Sequence, residues 1–220
     1  MKRTLAFALT LASGIALTAA PAQAEMSISF YGGANFSPHS VVDYDFNNGT
    51  SGSTTVGWDG ASFEMPPYYG VRGTYWFSSM PSVGVAVDFT HAKVKANPMP
   101  ADFTTLEFTD GINFLTLNAM YRYQNDTGWT PYVGAGLGLS IPHVEVDGPT
   151  LATPTLNYQV TGLAAQAMVG LDYKFTDNWS AFVEGKMTYG VVDAELEGGG
   201  SLSTNIISNQ IILGITYKFF

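Results

Sequence analysis

Residues 210–220, Gln210-Ile211-Ile212-Leu213-Gly214-Ile215-Thr216-Tyr217-Lys218-Phe219-Phe220, decide the fold. Ile211, Leu213, Ile215, Tyr217 and Phe219 share one phase; Gln210, Gly214, Thr216 and Lys218 share the other. Alternation in period two is the mark of a strand with two unlike faces. The apolar phase runs to Phe219, and the terminal Phe220 falls out of step.

The same pattern recurs upstream. Trp179, Ala181, Val183, Met187 and Tyr189 alternate with Ser180, Glu184, Lys186 and Thr188; Leu163, Ala165, Ala167, Val169 and Leu171 alternate with Gln166 and Asp172. Val133, Ala135, Leu137 and Leu139 face away from Gly134, Gly136, Gly138 and Ser140. Leu115, Leu117, Ala119 and Tyr121 oppose Thr116, Asn118 and Arg122, and Val83, Val85, Val87 and Phe89 oppose Asp88 and Thr90. Tyr69, Val71 and Tyr75 oppose Arg72 and Thr74, while Ile28, Phe30, Ala34 and Phe36 oppose Ser27, Ser29 and Asn35. With no helix-period stretch between them, these segments predict an all-β chain of eight antiparallel strands.

The connections alternate in length. Stretches 78–82, 124–130 and 176–178 are short; those near 39–67, 95–111, 145–157 and 192–204 are longer and rich in Gly, Asn, Asp, Ser, Thr and Pro. Short turns at one end and long loops at the other are the plan of an up-and-down transmembrane β-barrel, with periplasmic turns and extracellular loops. The polar phase holds small residues and a few charges of both signs, which suit a narrow lumen better than a solvated surface. Arg72, Asp88, Arg122 and Glu184 are expected to pair there. The apolar phase carries Tyr, Trp and Phe near segment ends, as membrane-interface girdles do. A soluble lipocalin-like barrel is the alternative. A barrel of eight strands is filled by its own side chains, so a wide pore is not expected.

Composition agrees. Charged residues are 12% of the 220, against roughly 25% in soluble domains. Lys2 and Arg3, an apolar run from Leu5 to Ala20 and the small-x-small Ala22-Gln23-Ala24 read as a secretory signal over residues 1–24, leaving a barrel over 25–220. Its removal leaves 7 basic against 18 acidic residues, a net charge of −11, which argues against nucleic-acid binding. No cysteine is present, which excludes disulfides, thiolate catalysis and Cys-ligated metal. The expected location is the outer membrane.

The chain has three histidines, each where a strand is expected to meet a long loop. His91 continues the outward phase of Val87 and Phe89, His143 that of Leu139 and Ile141, with Glu145 two residues on; Asn113 continues the outward phase of Leu115 between them. Together they would form a patch on the outer wall just above the lipid, facing lipopolysaccharide head groups, with Asp110, Glu107, Lys93 and Lys95 near the same rim. Lysines there attract lipid phosphates. Imidazoles with a carboxylate suit a divalent metal, although rim residues are expected to be polar in any case. His39, after Pro38, falls on the inward phase and reads as structural. Trp58, Asp59 and Glu64 lie in a folded loop whose aromatics and carboxylates would suit a sugar, or which simply packs on the barrel mouth. The glycines at 134, 136 and 138 are not followed by a helix and make no nucleotide loop; no Gly-x-Ser-x-Gly elbow occurs.

Gly57-Trp58-Asp59-Gly60, Ser62-Phe63-Glu64, Pro66-Pro67-Tyr68-Tyr69-Gly70-Val71-Arg72-Gly73-Thr74, Phe89-Thr90-His91-Ala92-Lys93-Val94, Leu106-Glu107-Phe108-Thr109-Asp110-Gly111, Leu117-Asn118-Ala119-Met120-Tyr121-Arg122, Thr130-Pro131-Tyr132-Val133-Gly134 and Pro142-His143-Val144-Glu145-Val146 together resemble the outer-membrane lipid A oxidase family. The resemblance runs from about Phe30 to the C-terminus and leaves out 147–157 and 195–201. It implies O2-dependent oxidation of the proximal glucosamine of lipid A to 2-aminogluconate, with release of hydrogen peroxide. It assigns no catalytic residues. Placement alone nominates His91, His143, Glu145 and Asp110 as catalytic, Lys93, Asn113, Trp58, Asp59 and Glu64 as substrate-binding, and His91, His143 and Glu145 as ligands of a divalent metal. Side chains supply a base, whereas the electron acceptor is normally a metal or an organic cofactor; no NAD or flavin motif is present. A non-enzymatic, envelope-stabilising barrel is the competing reading.

Overall fold

A computed structural model describes residues 24–219. The expected signal segment and Phe220 lie outside the described residues, apart from Ala24. Ten antiparallel strands form: β1 (Glu25–Asp45), β2 (Ser51–Asp59), β3 (Tyr69–Phe77), β4 (Met80–Ala96), β5 (Thr105–Arg122), β6 (Trp129–Asp147), β7 (Thr155–Tyr158), β8 (Gly162–Lys174), β9 (Trp179–Leu196) and β10 (Gly200–Lys218). The ring β1-β10-β9-β8-β6-β5-β4-β3 closes on itself, with Ser27 of β1 opposite Lys218 of β10. Closure leaves no open edge, which is what a sheet in hydrocarbon requires.

The count is ten, not eight, because two staves of the ring are interrupted. β2 sits above β3 between β1 and β4, and β7 sits above β8 beside β6. Residues 60–68 leave the ladder at Gly60 and include Pro66 and Pro67, which have no N–H to donate. The second break, 159–161, lies opposite Pro142, whose carbonyl accepts Gln159 N–H at 3.1 Å.

The expected long loops are also corrected. Most of 39–67, 95–111, 145–157 and 192–204 is strand; the upper connections are only 46–50, 97–104, 148–154 and 197–199. These stretches read as loop because their outward residues are small or charged. Their inward residues are apolar at the same period: Val42 and Tyr44, Leu106 and Phe108, Val144 and Val146, Val192, Ala194 and Leu196 are buried. The 21 residues of β1 extend about 70 Å along the strand, or about 50 Å of height at the usual tilt. An apolar band is about 25 Å tall, so the upper half of the barrel stands outside the membrane.

The interior therefore has two storeys. Within the lipid band, Phe30, Leu117, Leu137, Leu163, Val169, Leu213 and Ile215 point outward and exposed, and the lumen is polar. Arg72 donates to Asp88 Oδ2 from Nε (3.1 Å) and Nη2 (2.9 Å), and to Glu184 from both terminal nitrogens (2.7 Å each). Lys186 Nζ reaches Asp88 at 3.0 Å, Tyr31 donates to Asp88 and Tyr132 to Glu184. Two cations and two carboxylates are thus closed on each other with their spare lone pairs filled, the condition under which buried charge is tolerated. Arg122 departs from the expected network. It binds Glu25 at 2.7 Å and stacks on Trp76 at the lower mouth, beside a cavity of about 60 Å³.

Above the band the solvent outside is water, and the polarity inverts: apolar side chains fill the interior, polar ones face out. The inversion needs no change of register in β4, where Asp88 and Thr90 are followed on the same inward phase by Ala92, Val94 and Ala96. In β1 it comes with a bulge between Phe36 and Val42. That bulge leaves His39 exposed rather than inward.

Candidate functional site

The outward side chains at the level of inversion make one row around part of the wall. Register alone places Tyr69 of β3 opposite His91 of β4, and His91 opposite Asn113 of β5. Tyr69 stacks on the His91 ring at 4.8 Å and 20°. His91 Nδ1 lies 2.9 Å from Asn113 Oδ1. An amide oxygen only accepts, so Nδ1 carries the hydrogen and Nε2 holds a lone pair. That Nε2 is buried and has no hydrogen-bond partner, and the residue is 3% exposed.

The neighbouring half of the row depends on a bulge in β5. Glu107 pairs Glu145 and Ile112 pairs Pro142, so the five steps from 107 to 112 face only three on β6. The extra residues turn outward at Gly111, whose φ is +117°, a conformation that suits glycine. A Cβ there would lie 2.5 Å from His91 Nδ1 and 2.6 Å from Asn113 Oδ1, so glycine also allows the close approach. Bulges are a usual means of re-aiming side chains at a functional edge. Here the bulge is pinned by Glu145, whose Oε1 accepts the N–H groups of Thr109 (3.1 Å) and Asp110 (2.9 Å).

His143 faces the bulge. Its Nδ1 is 3.3 Å from Glu145 Oε1 and 3.8 Å from Asp110 Oδ2, yet makes no hydrogen bond. One donor atom from each of Asp110, His143 and Glu145 lies within 4.8 Å of the others. Tyr158 of β7 covers the imidazole at 4.7 Å and donates its hydroxyl to Asp110 O at 2.8 Å. β7 lies beyond the lipid band; desolvation, then the Asp110 carboxylate, push the Tyr158 phenol above its ordinary range.

His91, Asn113, Asp110, His143 and Glu145 are therefore gathered as expected, on the outer wall. Other nominated residues are not. Trp58 points inward from β2, against Phe108 and with Nε1 donating to Ser40 Oγ at 2.9 Å, so it belongs to the upper core and not to the outer wall. Lys93 is outward in phase but only 1% exposed, with Nζ donating to Glu64 O at 3.0 Å; segment 60–68 covers it, so it is no open rim cation. Asp59 and Glu64 are exposed. Asp110, not His91, completes the metal-spaced group with His143 and Glu145. Sequence reasoning did not single out Tyr158, Thr109 and the bulge glycine for the patch, because the bulge cannot be read from period. Tyr69 was readable as outward, though not as the partner of His91.

A family described as "Outer membrane protein beta-barrel domain" matches residues 7–219. The chain belongs to that family. Its location is the outer membrane, and the strands just described are those of an outer-membrane barrel. Among solved structures, OprG of Pseudomonas aeruginosa superposes with a TM-score of 0.57 at 14% identity, over 89% of this chain and 96% of that one. Neisserial surface protein A gives 0.52 at 16% identity, over 90% and 99%. These likenesses show the fold alone. The outer membrane protein PagN of Salmonella typhimurium is 29% identical over 116 residues, so the chain spans about half of that relative, 48%.

Proposed function

We propose that this barrel is an outer-membrane oxidoreductase acting on the proximal glucosamine of lipid A, with O2 as oxidant and 2-aminogluconate as product. The observation that carries the reading is position. Two imidazoles, two carboxylates and an amide converge on the lipid-facing side of the wall, at the height where the outward phase changes from apolar to polar. Groups placed there meet lipid head groups; groups in the lumen would not. Tyr69 and Tyr158 flank them as amphipathic rings suited to an interface.

The chemistry balances as follows. The C1 hydroxyl of the sugar loses its proton, and the C1–H bond breaks with its electron pair. O2 takes that pair and two protons and leaves as hydrogen peroxide. C1 becomes a lactone carbonyl, which water opens to the acid. His91 Nε2 is the base in this scheme, fixed in tautomer by Asn113. Tyr69 covers His91, so the approaching sugar displaces that ring. No side chain takes up an electron pair, and a bound redox-active divalent metal would supply that capacity. Asp59 and Glu64 are kept as proposed head-group contacts.

A non-enzymatic structural barrel is the second reading. The filled interior and the rigid upper extension favour it. Mass spectrometry of lipid A from aerated cells with and without the protein separates the two. A dephosphorylated species heavier by one oxygen atom, lost with His91→Ala, is expected. Identical spectra would leave the structural reading.

A further inference from the structure

We propose that Asp110, His143 and Glu145 form a binding site for one divalent first-row transition metal ion, and that His91 lies outside its ligand set. The ion's use in catalysis rests on the reading above; the site itself does not.

Three observations converge. His143 Nδ1 is buried without a hydrogen bond although two carboxylates approach it at 3.3 and 3.8 Å. Neither tautomer is satisfied there: an Nδ1 hydrogen finds no bonding geometry to either carboxylate, a lone pair would face two anions, and an ion among the three would resolve both. The donor atoms lie within 4.8 Å of one another, which sets each close enough to a common centre. The ligands are also held from behind: Glu145 Oε1, which faces His143, takes two backbone N–H groups, and the Asp110 carbonyl is fixed by Tyr158. Outer contacts of this kind orient metal ligands and account for much of their affinity.

One imidazole nitrogen with two carboxylate oxygens favours Mn²⁺ to Zn²⁺ over Ca²⁺, which takes oxygen alone, or Cu⁺, which takes sulfur. The three residues come from β6 and from the β5 bulge, so the β5–β6 pairing and the two extra bulge residues together assemble the site. His91 is placed outside because its donor atoms do not fall within the group that Asp110, His143 and Glu145 form, and its free Nε2 is buried beside the stacked Tyr69 ring.

The test uses the full barrel refolded in detergent micelles and stripped of metal. Co²⁺ is titrated while the visible d–d spectrum is followed, and stoichiometry is read by elemental analysis after dialysis. One equivalent is expected, with affinity lowered at least tenfold in His143→Ala and in Asp110→Asn, and unchanged in His91→Ala. Glu145→Gln is the less direct variant because it also disturbs the bulge. Heat-modifiable gel mobility confirms that each variant is folded. Absence of binding up to about 1 mM Co²⁺, on the order of the weakest specific divalent sites, overturns the site. So does binding that survives both His143→Ala and Asp110→Asn, or that fails with His91→Ala. A barrel that binds metal but leaves lipid A unoxidised sinks the enzymatic reading and spares the site; lipid A oxidation by a barrel that binds no Co²⁺ sinks the site and spares the enzymatic reading.

Discussion

Replacing Arg72 by Met tests whether the lumen is a closed charge lock. Arg72 gives two hydrogen bonds to Asp88 and two to Glu184, and both carboxylates are otherwise buried. Without it, Lys186 alone faces both acids, at 3.0 Å from Asp88 and 3.8 Å from Glu184. One buried negative charge is then left over. Removing one partner of a buried pair costs about 3–5 kcal/mol, and Tyr31, Tyr132 and Gln166 still donate to the acids, so the lower end of that range is expected. Adding Glu184→Gln restores the balance of one cation and one anion. The double variant should then recover to within about 1–2 kcal/mol of the parent. The assay is urea unfolding of the barrel in phospholipid vesicles, followed by tryptophan fluorescence and checked for reversibility. A loss below 1 kcal/mol for Arg72→Met, or no recovery on adding Glu184→Gln, would refute the lock.

Four further outcomes follow from the geometry. Gly111→Ala places a Cβ at positive φ and against His91 and Asn113, costing about 1–3 kcal/mol in the same urea titration and reducing lipid A oxidation per folded barrel. Lys93→Met removes a buried ammonium with no ion pair among the described residues; stability should be unchanged or higher, and a loss above about 1 kcal/mol would contradict the account of segment 60–68 as its cover. Trp58→Ala opens the upper core and should cost about 3–5 kcal/mol, while leaving the lipid A spectrum of the folded fraction as it was. On one face of β10, Leu213→Arg should cost about 2–4 kcal/mol because it enters hydrocarbon, whereas Ser203→Arg should cost about 0–1 kcal/mol because it enters water; equal costs would mean the band is misplaced.

Much of the barrel is legible because hydrocarbon enforces alternation strictly: the outward phases of β8 and β10 and the inward Arg72, Asp88 and Glu184 stand where period two puts them. The same rule misleads above the membrane. There the interior becomes apolar and the exterior polar, so β2, the tops of β1 and β9, and Trp58 read as loop although they are strand. Bulges are illegible for a different reason. A two-residue insertion such as that before Ile112 leaves composition and period-two phase untouched, with Phe108 and Ile112 both buried, and shifts only the register, so Asp110 could be placed near His143 by its neighbourhood but not aimed at it.

The site sits where the two solvent regimes meet, and this has a physical reason. Below that height an outward imidazole or carboxylate would face acyl chains and cost several kcal/mol unpaired. Above it the same groups would be dissolved in water, with nothing to hold their hydrogen bonds to one another. At the boundary His91 is covered by Tyr69 and His143 by Tyr158, so both imidazoles are largely shielded from solvent. Partial desolvation strengthens the Asn113 contact that orients His91 and the backbone contacts that hold Glu145 without requiring burial in the lumen, where the Arg72 network already fills the space. The proposed reaction on a membrane sugar would need that compromise: polar groups held by a sheet, and reachable from the leaflet.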